Sequence, residues 1–186
     1  MTTKKSQKKP GWREVAHALT GHGYGKPELL TLLGDLYKLS DDNRDFFHAR
    51  FGLGDDPLQA YKEIIEEAMY PDVMKDGPVQ VARAKQAIAR YEKAVGEPHG
   101  RMELMLFFIE RGHAFSDQYG YGDESFFTAL ERMFARAAAL LATMEPGAIE
   151  RLRPRLDSVV EEVNGIGWGH YDELLRIYGE TFPETP

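Results

Sequence analysis

The sequence contains no cysteine. This absence excludes disulfide bonds, thiolate metal sites and cysteine nucleophiles, and it fits a reducing compartment. The chain also has no apolar run near the roughly 20 residues that a transmembrane helix needs. Its N-terminal segment MTTKKSQKKPG lacks the apolar stretch of a secretory signal. We therefore expect a cytoplasmic protein that does not insert into a membrane.

The common catalytic motifs are missing as well. The chain has no Gly-x-Ser-x-Gly nucleophile, no His-Glu-x-x-His zinc motif and no Gly-Lys-Ser/Thr phosphate loop. Neighbouring carboxylates such as Glu66 and Glu67 diverge on a helix, so they do not form an acid and base pair. These absences favour a non-enzymatic protein without a cofactor.

Charge is distributed unevenly along the chain. The 186 residues carry a net charge of −7, but the first ten contain four lysines and no acid, which leaves −11 on the rest. A short lysine-rich segment cannot bury a core. We predict a disordered basic tail at 1–11 and a single domain at 12–186. The acidic domain argues against nucleic-acid binding.

Helical periodicity dominates the sequence. Apolar residues recur at intervals of three and four, as at Leu29, Leu33 and Leu36, and no segment alternates as a strand does. The pattern predicts an all-α fold of about eight helices in packed antiparallel hairpins, as a bundle or a short repeat-like array. Pro154 is expected to kink or split the seventh helix.

Glycine-rich loops separate the predicted helices. Four segments share the pattern: GHGYG, FGLGDD, YGYGDE and GIGWGHYDE. Glycine ends helices in the left-handed conformation, and a following Asp caps the next helix, so we interpret these loops as turns. A binding role stays open for GIGWGHYDE, because Trp168 and His170 exceed what a turn requires.

Two Glu-x-x-His pairs, Glu14 with His17 and Glu110 with His113, have the ligand spacing of di-iron helical bundles. Chance supplies such pairs at this composition, and the chemistry needs a four-helix set of ligands. We therefore predict no metal.

Several segments together resemble an uncharacterised bacterial family of small all-helical proteins. They are LLGDLYKLSDDNRDFFHARF, YPDV, the stretch from Arg83 to Phe134 and GIGWG. The resemblance covers about residues 28–169. It implies a helical domain in the bacterial cytoplasm, and it brings no catalytic residues because that family has no assigned activity.

Protein contacts are the leading predicted function, with another protein or a second copy of the chain as the partner. The alternative is a ligand- or metal-binding protein or an enzyme whose pocket gathers residues that are distant in sequence. Its candidate lining residues are Glu110, His113, Tyr119, Tyr121, Trp168 and His170.

Overall fold

The computed structural model describes residues 9–75, 77–163, 165 and 169–183. These residues form nine α-helices and no strand, which confirms the all-α class. The predicted helices are present, and one further helix, α1, precedes them. The helices are α1 (Trp12–Gly21), α2 (Lys26–Leu39), α3 (Asp41–Phe51), α4 (Gln59–Met69), α5 (Val81–Ala94), α6 (Pro98–Tyr119), α7 (Glu124–Leu141), α8 (Pro146–Glu161) and α9 (His170–Thr181).

Contacts between Cα atoms divide the chain into two compact units, Met1–Arg44 and Asp45–Pro186. A single domain at 12–186 stays a prediction. The predicted disorder at 1–11 falls mainly on residues outside the described ranges.

Helices α1 and α2 in the first unit begin in the same way. Glu14 accepts a hydrogen bond from the Gly11 amide at 3.0 Å, and Glu28 accepts one from the Gly25 amide at 2.9 Å. Each carboxylate thereby satisfies an amide at the helix start and lies where the helix dipole favours negative charge. The acid of the first Glu-x-x-His pair is therefore used for capping.

The second unit is built around α6. This helix of 22 residues packs on α4, α5, α7 and α8, while α7 also packs on α9. The consecutive helices α4 and α5, and likewise α6 and α7, form closely packed pairs. Fully buried side chains from four of these helices fill the core, including Ile65, Ile88, Phe108 and Phe134.

Gly112 permits the close approach of α6 and α7. A Cβ atom at this position would lie 2.6 Å from Leu130 Cδ2 and 3.2 Å from Met69 Cε. Glycine inside a helix is ordinarily destabilising. The structure instead shows continuous helix, with the missing side chain leaving room for Leu130.

The loop YGYGDE ends one helix and starts the next, as predicted. Gly120 follows α6 in the left-handed conformation with φ of 62°, and Asp123 caps α7 by accepting a 2.8 Å hydrogen bond from the Phe126 amide. In FGLGDD, Gly52 also has a positive φ, while α4 begins at Gln59, slightly later than the predicted start at Asp56.

Helix α8 runs through Pro154 without being split. Ser158 donates a 3.1 Å hydrogen bond from its hydroxyl to the Pro154 carbonyl, which gives this backbone oxygen a side-chain partner. Among the described helices, none combines the length and the apolar character required to cross a bilayer.

Candidate functional site

A pair of buried histidines lies where α6 meets the start of α9. His113 comes from the second half of α6, and His170 is the first residue of α9. Their Nε2 atoms are 3.0 Å apart, and their rings meet edge to face at 76°. His113 is 3% exposed and His170 is fully buried. Two of the predicted pocket residues are thus in direct contact.

Glu131 of α7 extends the pair to a chain of three groups. Its Oε1 atom lies 2.9 Å from Nδ1 of His170. A carboxylate accepts hydrogen bonds, so Nδ1 of His170 carries the proton, and its Nε2 is a lone pair when the ring is neutral. Nε2 of His113 then donates to that lone pair. The order of the chain is Glu131, His170, His113.

The chain ends at Nδ1 of His113, which is buried and has no hydrogen-bond partner among the described residues. When the neutral ring carries its proton on Nε2, Nδ1 of His113 is a hydrogen-bond acceptor. Burial, with a smaller contribution from His170, lowers the pKa of His113 to about 3. The ring is therefore neutral at physiological pH, and Nδ1 keeps its lone pair.

Tyr119 and Tyr121 belong to a series of touching rings that reaches His170. Consecutive ring centroids along this series lie 4.8 to 5.5 Å apart. The order is Tyr119, Phe115, Tyr121, Phe126, Phe127, His170. Phe126 and Phe127 therefore separate Tyr121 from the histidine pair, and Phe127 is the ring that packs on His170. Both tyrosines are exposed and border the core.

Glu110 lies one turn before His113 on α6 and is held by Arg155 of α8. The guanidinium binds both Glu110 oxygens, with Nη2 at 2.7 Å from Oε2, and its Nη1 also contacts Glu103. These hydrogen bonds and charges raise the pKa of Arg155. The acid of the second Glu-x-x-His pair is thus neutralised by an arginine.

A cleft of about 390 Å³ lies beside α6 near this end of the histidine chain. Its volume is in the range of small-molecule sites. The lining residues are Glu110, Arg111, His113, Ala114, Asp117 and Glu162. Glu110 and His113, both predicted pocket residues, therefore share a cleft. Trp168 lies outside the described residues. The ligand-binding role of the predicted residues stays a prediction.

No three His, Asp or Glu side chains within the described ranges are grouped closely enough to share a metal ion. The two Glu-x-x-His pairs fit this result, because Glu14 caps α1 and Glu110 binds Arg155.

Two contributors to the site carry no recognisable sequence signal. Glu131 is 39 residues from His170 and Phe127 is one of several phenylalanines in an apolar helix, so neither spacing nor residue type marks them. Only the packing of α7 against both α6 and α9 brings them to the histidines.

A separate candidate surface lies on α1 and α2. Neither helix buries a residue. Leu29, Leu33 and Leu36 follow the spacing of one helix face. We call the exposed large apolar side chains of this unit the N-terminal apolar surface; they are Trp12, Val15, Tyr24, Leu29, Leu30, Leu33, Leu36 and Leu39.

No protein-family model, curated protein or solved structure matches the chain. The resemblance to a bacterial helical family stays a prediction. The function is therefore argued from the geometry of the described residues alone.

Proposed function

We propose that the protein acts through contacts with a second copy of itself, made by the N-terminal apolar surface. One observation carries this proposal: eight large apolar side chains between Trp12 and Leu39 are exposed, and α1 and α2 bury none of their residues. Leu29, Leu33 and Leu36 lie on one face of α2, and contiguous exposed apolar surfaces mark interaction sites.

Helix length supports the same conclusion. Helices α1 and α2 have 10 and 14 residues. Helices this short are marginal in water unless tertiary packing covers their apolar face. Each leucine that is fully removed from water contributes about 1.5–3 kcal/mol. A partner that covers Leu29, Leu33 and Leu36 therefore stabilises both the contact and the helix.

Charge favours a second copy as that partner. Residues 9–44 carry five basic and five acidic side chains, so two such segments meet without net repulsion. Residues 1–44 carry eight basic and five acidic side chains in total, which leaves −10 on residues 45–186. Two copies that met through residues 45–186 would repel each other, and the N-terminal apolar surface avoids this cost. Twofold association through matching surfaces is the commonest form of oligomer.

Analytical ultracentrifugation tests the proposal. We expect the wild-type protein to sediment at twice its 21.1 kDa chain mass at micromolar concentration. Leu33→Glu places a charge in the contact and should give a monomer. Leu175→Glu is the matched control, because Leu33 and Leu175 are equally exposed at 42% and 43% and Leu175 lies on α9. This control should remain a dimer.

Two results would overturn the proposal. One is a wild-type protein that stays monomeric at every concentration. The other is a dimer that Leu33→Glu leaves intact or that Leu175→Glu dissociates to the same extent.

A further inference from the structure

We propose that the cleft beside α6 binds a small primary amine in its ammonium form. Three observations converge on this class of ligand: a buried acceptor nitrogen of a lining residue that has no partner among the described residues, two exposed carboxylates in the same lining, and the absence of a convergent metal-ligand set in the same part of the chain. This site is independent of the N-terminal apolar surface.

Nδ1 of His113 supplies the acceptor. With a neutral His170 ring, the hydrogen bond from its Nδ1–H to Glu131 leaves Nε2 of His170 as an acceptor, and the 3.0 Å contact between the two Nε2 atoms then places the proton of His113 on Nε2. In a buried setting an acceptor without a donor is unfavourable, and native proteins rarely leave one unpaired. An N–H donor from a ligand in the cleft removes this deficit.

The outer part of the cleft supplies negative charge. Asp117 is four residues after His113, so the two side chains lie on the same face of α6. Glu162 approaches from the end of α8. Both carboxylates are exposed, whereas Glu110 is bound by Arg155. An ammonium group has three donors, which matches one imidazole nitrogen and two carboxylates.

The remaining cation of the cleft, Arg111, has partners for part of its guanidinium, whereas its Nε–H is buried without a hydrogen-bond partner among the described residues. Arg111 directs Nη1 toward Glu66 at 3.6 Å, and its guanidinium lies over the rings of Phe107 and Tyr70 at 5.5 and 5.9 Å. Its charge is therefore shared with groups outside the cleft, and the lining keeps an excess of negative charge for a cationic ligand.

An ammonium ion fits this lining better than a metal ion. Transition metals require several donor atoms to converge at about 2.0–2.2 Å, and the described residues form no such group. Charge-assisted hydrogen bonds from an ammonium span about 2.7–2.9 Å and accept a wider range of directions. Nδ1 of His113 is sealed from solvent, so an amine that binds it requires the side chains covering this nitrogen to rearrange.

Isothermal titration calorimetry with propylamine tests the proposal, in a buffer that contains no amine. Propylamine should bind, whereas 1-propanol and propionate, which lack the ammonium group, should not. Asp117→Asn and Glu162→Gln should each weaken binding about tenfold, since each removes one charge-assisted hydrogen bond. Glu150→Gln is the control, because Glu150 is also an exposed acid of α8 but lies outside the cleft.

His113→Phe keeps a ring in the core and removes the acceptor nitrogen, so it should abolish binding. The two exposed variants, Asp117→Asn and Glu162→Gln, keep the test decisive if His113→Phe does not fold. The proposal is overturned if propylamine does not bind, if 1-propanol binds equally well, or if Asp117→Asn and Glu162→Gln bind like Glu150→Gln. It is also overturned if the folded protein binds Zn²⁺ through His113 and ignores propylamine.

Discussion

Nε2 of His113 lies 3.0 Å from Nε2 of His170, although the two residues are 57 positions apart in sequence. One nitrogen must donate and the other must accept. When the His170 ring is neutral, Glu131 decides which, because its carboxylate accepts a hydrogen bond from Nδ1–H of His170 and so leaves Nε2 of His170 as the acceptor. The result is a directional polar chain inside a helical core, and its free end is an imidazole lone pair next to a cleft.

Glu131→Leu should destabilise the fold by about 1–3 kcal/mol, because it leaves the buried Nδ1–H of His170 without an acceptor. Glu131→Gln retains an oxygen that can accept this hydrogen bond, so its loss should be clearly smaller. Urea unfolding of both variants measures the difference. Equal losses for the two variants would show that Glu131 contributes packing or charge and does not orient His170.

The stability of the protein should fall with decreasing pH through His113. The unfolded chain takes up this proton near the ordinary pKa of 6.5, whereas burial lowers the pKa of His113 to about 3 in the folded chain. Between these values the unfolded state binds more protons, so the free energy of unfolding falls by about 1.4 kcal/mol per pH unit as the pH decreases. Above pH 6.5 this contribution does not change.

Urea unfolding between pH 7 and pH 4 measures this dependence, with His113→Phe as the reference. The variant retains the other titrating groups, so the difference between the two slopes reports His113 together with its contact to His170. If wild type and variant lose stability in parallel, the histidine does not titrate in the expected way.

Gly112→Ala should destabilise the protein by about 1–3 kcal/mol, the usual cost of overpacking a core. The new methyl group would meet Leu130 and Met69 where α6 packs on its neighbours. Gly179→Ala is the matched control, because Gly179 also lies in a helix and a Cβ there meets nothing within 4 Å. It should stabilise the helix by about 0.5–1 kcal/mol. Thermal unfolding of both variants measures these changes. If Gly112→Ala proved neutral, the contact of α6 with Leu130 and Met69 would not be as close as described.

Much of the fold is predictable from local pattern. The three-and-four spacing of apolar residues predicts helices at α2 to α9, and Gly120 with Asp123 marks a boundary through the conformational freedom of glycine and the capping ability of aspartate. Helix α1 was not predicted, because it is only ten residues long and adjoins a lysine-rich segment.

The candidate site is predictable only in part. His113 can be selected from the sequence by its Glu-x-x-His spacing and His170 by its place in a glycine-rich loop, but Glu131 cannot, because its position depends on the packing of α7 against α9. The pairing of Glu110 with Arg155 likewise cannot be predicted from sequence, since the two residues are 45 positions apart. Contacts between helices that are distant in sequence are determined by tertiary packing, so a local sequence pattern does not predict them.

The most direct measurement is a ¹⁵N–¹H correlation spectrum of the histidine rings at neutral pH, recorded with and without propylamine. We expect a proton on Nε2 of His113 and on Nδ1 of His170, and a shift of the His113 Nδ1 resonance when propylamine is added. A proton on Nδ1 of His113, or a resonance that propylamine does not move, would contradict the proposed polar chain and its ligand.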